Sequence, residues 1–546
     1  MKNKETLKFI SRNIKGCQIK IAILSITQIL LGAFTVAFSF MLRYVIQAME
    51  IKDQDLLIKY TIILGCIAVL LIGLQIFYRL YYEVSYVDIE NKLKKNLFNT
   101  ILHKDYQDIK KIHDEEWIHR LTSDTNVIAN AILSILPSLC RMVVQLVLAL
   151  AAVIYLFPTF GLSLLPFIFL IILLTYFMRK RLKKAHHLVQ EKDGRVKVFF
   201  FESLQGLSII HSFVKEDVFA HKNEENLDAY KKARLQRNLF QIMCSIGFVV
   251  VYYAFYILAI IFCGNAIIQD VMSIGLLTAV VALLTQITGP LGNITSIIPR
   301  YYSLLASGER LKMEQEEILP CLSKEEINSF YQEEFKEINL KHISYSYLDK
   351  YDSRVAVLND FSLNIHKNEK ILIKGHSGSG KTTLMKIILT LLKPEKGEVL
   401  INDEPLDNRY AHLFAYVPQD NLLMEGTIKE IVTLYDDKFN QEQFDAALNL
   451  SSSSSFVNAL VKKEETYLNE KGSGLSLGEM ERIAIARALY SEAPIVLFDE
   501  CSASLDLKTE QEVINHILSL KDKTIILISH HPYDETLFDQ IIDLGD

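Results

Sequence analysis

Hydrophobic residues are spread unevenly along the chain. Up to about residue 310 they form long, nearly unbroken blocks; beyond about 338 they alternate with polar residues in short strand- and helix-like segments. Six blocks, at roughly 19–49, 56–83, 130–157, 160–180, 240–264 and 273–300, reach or exceed the about 20 residues a helix needs to cross a bilayer. The pattern predicts an α-helical domain of six membrane spans followed by an α/β domain. The stretch between them is rich in Glu and Lys and reads as a linker, dividing the chain into 1–312, 313–337 and 338–546.

The connections after the first, third and fifth spans are short: Glu50–Asp55, Pro158-Thr159 and Asn265–Met272. Those after the second and fourth are long and basic; 179–238 alone carries Arg179, Arg181, Lys184, Arg195, Lys197, Lys231, Lys232, Arg234 and Arg237. Excess Lys and Arg marks the cytoplasmic side, so both long loops and both termini are expected in the cytoplasm, with the spans in the plasma membrane. The loops have few Gly or Pro breakers. As paired helix extensions of about 20 residues they would project roughly 30 Å and reach a cytoplasmic domain; as amphipathic helices they would lie on the membrane surface. Lys2, Lys4, Lys8, Arg12 and Lys15 precede the first apolar run, as in a signal peptide, but a run of about thirty residues reads as a retained span. Arg43, Arg79, Glu83, Arg141 and Arg300 lie within or near spans. Intramembrane charge usually faces the protein interior, whereas Arg43, Arg79 and Arg300 lie close enough to span ends to snorkel. Arg141 is the candidate for a cavity lining.

Half of the 546 residues are hydrophobic and the formal net charge is −6, which gives no reason to expect nucleic acid as a partner. The seven cysteines are scattered, with no CxxC pair, so neither a disulfide framework nor a zinc site is indicated.

The strongest chemical signal is Gly375-His376-Ser377-Gly378-Ser379-Gly380-Lys381-Thr382, a complete GxxxxGK[ST] phosphate loop continued by Thr383. It follows the strand-like Ile371-Leu372-Ile373 and precedes the helix-like Leu384–Leu392. Glycines let backbone N–H groups wrap phosphate oxygens at a helix N-terminus. Lys381 is placed to reach the β/γ-phosphates and Thr382 to ligate Mg²⁺. Downstream, Ile495–Glu500 reads as a buried strand ending in two carboxylates: Asp499 to hold Mg²⁺, Glu500 to activate the attacking water. The chain is therefore expected to bind a nucleoside triphosphate with Mg²⁺ and to hydrolyse it.

These residues, in this order, resemble the ATP-binding cassette transporters, in particular exporter-type half-transporters with a membrane domain fused ahead of a nucleotide-binding domain. The resemblance covers nearly the whole chain. It implies that Tyr347 stacks on adenine, that Gln419 in Tyr416-Val417-Pro418-Gln419-Asp420 senses Mg²⁺ and takes part in catalysis, and that His530 contacts the γ-phosphate. Thr466–Gly472, with Glu470, is similar to the exporter-specific loop. Arg120–Asp124 is similar to the segment after the first coupling turn, Glu202–Gly206 and on to Phe213 and Glu216 to the second, and Ala306–Arg310 to the exit from the sixth helix.

The departures are informative. The family signature Leu-Ser-Gly-Gly-Gln is here Leu475-Ser476-Leu477-Gly478-Glu479. Ser476 and Gly478, implied contacts to the nucleotide of the other subunit, are kept. Leu477 adds bulk where the backbone approaches phosphate closely, and Glu479 adds negative charge; full activity despite Leu477 is the other reading. Cys501–Asp506 exchanges Ser and Ala relative to the usual Ser-Ala-Leu-Asp, the C-terminal helices of many members are not expected, and Ser451–Ser455 reads as a surface turn. No peptidase domain is expected ahead of the first span. The resemblance implies ATP-driven export by alternating access in a dimer, with a second half-transporter (an altered signature favours a heterodimer) and the lipid bilayer as partners. A peptide, a drug-like amphiphile or a lipid remain open as cargo. An importer built on the exporter fold, as in siderophore systems, and an ATP-gated channel or regulatory sensor are the alternatives.

Overall fold

The structure, a computed structural model, describes residues 2–112, 114–269, 272–312, 321–348, 354–419, 423–436, 438–469, 474–531 and 533–545, with the backbone alone over parts of 165–187, 244–252 and 291–296. It divides into two units: Met1–Leu102 with Ile112–Gln315, and His103–Lys111 with Glu316–Asp546.

The first unit is helical. A short α1 (Lys2–Asn13) precedes α2 (Gln18–Ile51) and α3 (Gln54–Leu102). The chain then crosses α4 (Tyr106–Lys110), which belongs to the second unit, and α5 (Asp114–His119), and a π turn at Arg120–Asp124 leads into α6 (Thr125–Leu156). The helices α7 (Pro158–Gln205), α8 (Leu207–Ser212), α9 (Glu216–Ile268) and α10 (Ile274–Leu311) follow. Local chemistry sets the breaks: Pro158 opens α7 at its first turn, Ser273 caps α10 by accepting from Leu276 N, and Lys52 ends α2 in a left-handed conformation at φ 58°. The long loops form helix extensions, so α3 alone runs 49 residues, about 73 Å at 1.5 Å per residue. Among the described residues, Gln18–Ile51, Gln54–Leu102 and Asp114–Leu156 are long and apolar enough to cross a membrane, and Tyr253–Ile268 and Ile274–Pro290 are shorter apolar stretches. Most side chains of the expected span 160–180 lie outside the described residues. On α3, Ile62, Val69, Ile72 and Ile76 are exposed, which suits lipid as solvent and would be costly in water.

One apolar cluster packs α2, α6, α7, α9 and α10 around Val36, Val153, Phe160, Phe255 and Leu283; another packs α1, α2, α3, α6 and α10 around Ile10, Leu24, Ile89, Ile128 and Leu304. Two polar connections cross the helices. Gln145 donates to Gln286, which donates to Ser39 Oγ at 3.2 Å, and Arg141 donates to Gln28 at 3.4 Å. Arg141 is thus half-buried against Gln28, whereas Arg79, Glu83 and Arg300 are exposed. A third polar contact joins two segments that looked unrelated in sequence. Asp124, 1 % exposed, accepts from Ser307 Oγ at 2.7 Å and from Arg310 Nε at 2.8 Å. Gly308, between them, lets α1 dock: a Cβ there would lie 2.7 Å from Ile10 Cδ1 and 2.8 Å from Thr6 Cγ2.

The second unit holds two sheets. The antiparallel one orders β2 (Arg354–His366), β1 (Glu337–Leu348), β4 (Lys396–Ile401) and β5 (Glu404–Pro405). The parallel one orders β11 (Gln540–Asp543), β3 (Lys370–Lys374), β10 (Thr524–Ile528), β9 (Ile495–Asp499) and β6 (Phe414–Val417). A two-stranded ribbon pairs β7 (Gly426–Thr427) with β8 (Tyr467–Leu468). Around them lie α11 (Lys324–Ser329), α12 (Lys381–Ile388), α13 (Ile428–Thr433), α14 (Gln441–Leu450), α15 (Ser454–Ala459), α16 (Leu477–Tyr490) and α17 (Leu507–Leu518). Within this unit Asp105 caps α4, accepting from Gln107 N, and pairs with Lys393 Nζ at 2.7 Å.

Three expectations are corrected. The second half of the stretch read as a linker is folded: α11 carries a Ser323–Glu326 capping box, and Ile327, Tyr331 and Phe335 are buried at 1–4 % exposure. Acidic and basic residues dominate its sequence, but its apolar ones recur every four residues and face the core. The helix after the phosphate loop ends at Ile388, before Leu392, because the chain turns left-handed at Thr390, φ 58°. Ser451–Ser455 is not a surface turn. Ser451 and Ser453 are fully buried, hydrogen bonded to each other at 2.8 Å, and Arg482 donates to Ser452 O.

Removing one partner of the Asp124–Arg310 pair leaves a charge without its counter-ion. Fully buried pairs cost about 3–5 kcal/mol when broken; with Arg310 41 % exposed, Asp124→Ala is expected to cost about 2–3 kcal/mol. The loss should appear as a lower melting temperature in detergent, and Asp124→Asn, which keeps an acceptor for Ser307, should lose less. An unchanged melting temperature for Asp124→Ala would contradict a structural role for the pair.

Candidate functional site

The phosphate loop leaves the end of β3 and closes on α12. Gly380 caps that helix at φ 97°, a conformation open to glycine, and a Cβ there would press on Val357 O at 3.0 Å. Lys381 is 5 % exposed, and its ammonium donates to the carbonyls of Gly375 at 3.0 Å and His376 at 3.1 Å. Ser379 Oγ is buried without a hydrogen bond among the described residues. Ser377 and His376 are exposed at the loop's outer side, as is Gly378.

Three side chains from separate elements converge beside this lysine. Glu500, just past β9, accepts from Gln419 Nε2 at 2.8 Å and lies 2.8 Å from His530 Nε2 and 3.7 Å from Lys381 Nζ. Its backbone is left-handed, φ 52°, and its N–H donates to Ile528 O. That strained conformation turns the carboxylate away from the strand and toward the loop. His530 also stands 3.3 Å from Lys381 Nζ. Of the expected catalytic residues, then, Glu500, Gln419 and His530 share one cluster; Asp420 lies outside the described residues.

Asp499 is fully buried. Burial pushes its carboxyl up from the usual range, opposed by the hydroxyls of Thr382 and Tyr416, with the Glu500 charge adding to the rise. Tyr416 OH donates to Oδ2 at 3.1 Å, while Oδ1 has no hydrogen-bond partner among the described residues. A buried carboxylate with one unsatisfied oxygen, beside the hydroxyl of Thr382, fits a divalent cation completed by phosphate oxygens. No group of three or more His, Cys, Asp or Glu side chains among the described residues forms a cage of its own.

Tyr347, near the end of β1, is 43 % exposed, with its ring in T-shaped contact with Tyr345 and its hydroxyl 3.2 Å from the Thr383 hydroxyl. The remaining expected contacts, Ser476 and Gly478, are elsewhere: among the described residues nothing links them to the phosphate loop. Ser476 caps α16, accepting from Glu479 N at 3.3 Å, while Glu479 Oε2 accepts from Ser476 N at 2.7 Å and Oγ at 2.9 Å. Within the chain the tight position is Gly478, where a Cβ would meet Ser504 O at 3.0 Å; Leu477 is 57 % exposed and crowds nothing. Residues 470–473 of the loop ahead of the signature, Glu470 included, lie outside the described residues.

Several participants escaped sequence reasoning. Tyr416, quoted only as part of a motif, holds Asp499. Glu481, buried on α16, accepts from Ser504 N at 3.1 Å, and burial pushes its carboxyl up. Glu510, 2 % exposed, gathers Ser502 Oγ at 2.8 Å, the Tyr533 hydroxyl and His531 Nδ1 at 3.0 Å, anchoring the segment after β9 to the loop that carries His530. A carboxylate spaced four residues beyond Asp506, on the inner face of an amphipathic helix, is the one sequence signal for it.

Comparison with known proteins agrees with this geometry. Residues 21–291 match the family described as ABC transporter transmembrane region, and residues 358–503 match the family described as ABC transporter. The lactococcin-G-processing and transport ATP-binding protein LagD of Lactococcus lactis is 30 % identical over 70 % of this chain, which spans 54 % of that protein's length. A Rickettsia bellii chain named as an export ATP-binding/permease protein is 26 % identical over 97 % of this chain and 92 % of its own. The fold is that of a bacterial Atm1-family ABC exporter solved with ATP bound, TM-score 0.83 at 19 % identity, covering 96 % of this chain and 94 % of the other. With its exporter-type membrane region fused to an ATP-binding domain, the chain belongs to the ABC transporters, multi-pass membrane proteins that couple ATP hydrolysis to transport.

Proposed function

We propose that this chain is a half-transporter that exports its cargo by alternating access, and that its phosphate loop and Glu500 form the competent ATP site of a heterodimer. The observation that carries the proposal is an asymmetry between two regions of the same chain. Around Lys381, three side chains with the chemistry of hydrolysis, Glu500, Gln419 and His530, are joined by contacts of 2.8–3.7 Å. At the signature, the helix N-terminus that would receive an incoming phosphate already holds an internal anion, the Glu479 carboxylate on Ser476 N and Oγ. Helix N-termini favour one anion near their free N–H groups, so this carboxylate competes with phosphate, and the exposed Leu477 stands on the face that would meet the partner.

In this reading Lys381 and the loop N–H groups bind the β/γ-phosphates, and Tyr347 stacks on the base. Thr382 and Asp499 hold Mg²⁺ with Gln419 nearby; the cation, when bound, neutralises charge on the transferring phosphoryl group. Glu500 accepts the proton of the attacking water, Gln419 orients that carboxylate, and His530 donates to the γ-phosphate. Ser476 and Gly478 contribute the weaker second site. ATP favours the closed dimer because only there are both halves of a site assembled. The Asp105–Lys393 pair in the second unit supports a coupling role for α4. The basic long loops support cytoplasmic termini in the plasma membrane. The lactococcin relatives make a peptide the cargo to test first, ahead of a drug-like amphiphile or lipid.

Glu500→Gln is expected to lower ATPase activity of the assembled transporter by about 10²-fold or more, while ATP binding persists. Leu477→Gly with Glu479→Gln, introduced in this chain, should raise turnover of the heterodimer by reviving the second site. Fast ATPase activity of the chain purified alone, unaffected by a second half-transporter, would overturn the heterodimer.

A further inference from the structure

We propose that the cleft between α1 and the ends of α3, α6 and α10 is a binding site for one anionic phospholipid from the leaflet on the N-terminal side of the membrane. The cleft encloses about 630 Å³, within the roughly 300–1,000 Å³ of small-molecule sites. Its floor is apolar: Phe9 on α1, Leu93 and Leu97 on α3, Ile128 on α6 and Leu311 on α10. Its rim is cationic: Lys8, Arg12 and Lys312, against the single carboxylate of Glu5.

The charge does not cancel internally. Glu5 is paired with Lys312 at 2.9 Å. Lys8 and Arg12 are exposed and make no hydrogen bond or ion pair among the described residues. Two free cations over an apolar floor match a phosphodiester attached to an acyl chain, and neither a soluble anion nor a neutral lipid matches both halves. The position fits the ligand as well. α1 precedes the first apolar helix, and it is amphipathic: Thr6 and Ile10 press on Gly308 while Lys8 and Arg12 face outward. A helix of this kind lies at the boundary between headgroups and acyl chains. Lys and Arg there attract anionic lipid over zwitterionic lipid. Because α1 docks through Gly308 onto the end of α10, a lipid held in the cleft would tie α1 to that helix.

The full chain, purified in detergent, is exposed to phosphatidylglycerol or to phosphatidylcholine of the same acyl chains, and bound lipid is counted by native mass spectrometry. One retained phosphatidylglycerol per chain is expected, with phosphatidylcholine lost. Lys8→Gln with Arg12→Gln should weaken phosphatidylglycerol binding about 30-fold, and the exchange Lys8→Arg with Arg12→Lys should preserve it. Leu97→Trp, which fills the floor and leaves the charge unchanged, should also abolish retention. Equal retention of both lipids, or retention of phosphatidylglycerol by the doubly neutralised variant, would overturn the proposal. Retention undiminished by Leu97→Trp would mean surface attraction without a site, and would overturn it too.

Discussion

The nucleotide site depends on one strand, β10, pairing in register with both β3 and β9. Ile528 stands opposite Ile373 on one side and Asp499 on the other. The chain therefore leaves all three strands at one edge: into the phosphate loop, into Glu500, and into Ser529-His530. The three strands are buried throughout apart from Lys374 at the end of β3, and their near-continuous apolar composition suits a parallel sheet covered on both faces. A slip of one residue would turn Asp499 to the opposite face. Loop lysine, carboxylates and histidine meet because hydrophobic burial fixes this register.

At that edge the second controlling factor is where negative charge is allowed to rest. Asp499 is buried with one oxygen unsatisfied, Glu500 is shared among Gln419, His530 and Lys381, and Glu510 is saturated by Ser502, Tyr533 and His531. The third carboxylate tethers and the first two are left with capacity for chemistry. The same bookkeeping explains the signature. Gln at 479 would cap α16 without a charge; Glu479 caps it with one and spends the helix's preference for an anion inside its own chain.

Much of the site was legible because phosphate chemistry demands particular residues at particular spacings. Gly375–Thr382, the strand ending in Asp499 and Glu500, and His530 after an apolar strand all carry their chemistry in local sequence. What escaped depends on contacts between distant segments. Asp124 and Arg310 are 186 residues apart, and neither announces the other. Tyr416, Glu481 and Glu510 look like ordinary members of a strand and two amphipathic helices until the fold buries them. Ser451 and Ser453 read as surface because Ser is usually exposed, yet their hydroxyls satisfy each other. The linker misled for the opposite reason: its charges hid Ile327, Tyr331 and Phe335. The direction of Leu477 was also beyond the sequence, since a helix opening at Ser476 decides it.

The central claim, that this chain's own phosphate loop and Glu500 do the hydrolysis, is tested most directly by trapping. Vanadate arrests an ABC transporter with the product nucleotide in the site that has just turned over, and a photoreactive ATP analogue then labels the chain whose phosphate loop holds it. In a dimer with a second half-transporter the label should fall on this chain, and Glu500→Gln should abolish it. Label confined to the partner, or trapping on this chain that survives Glu500→Gln, would contradict the account.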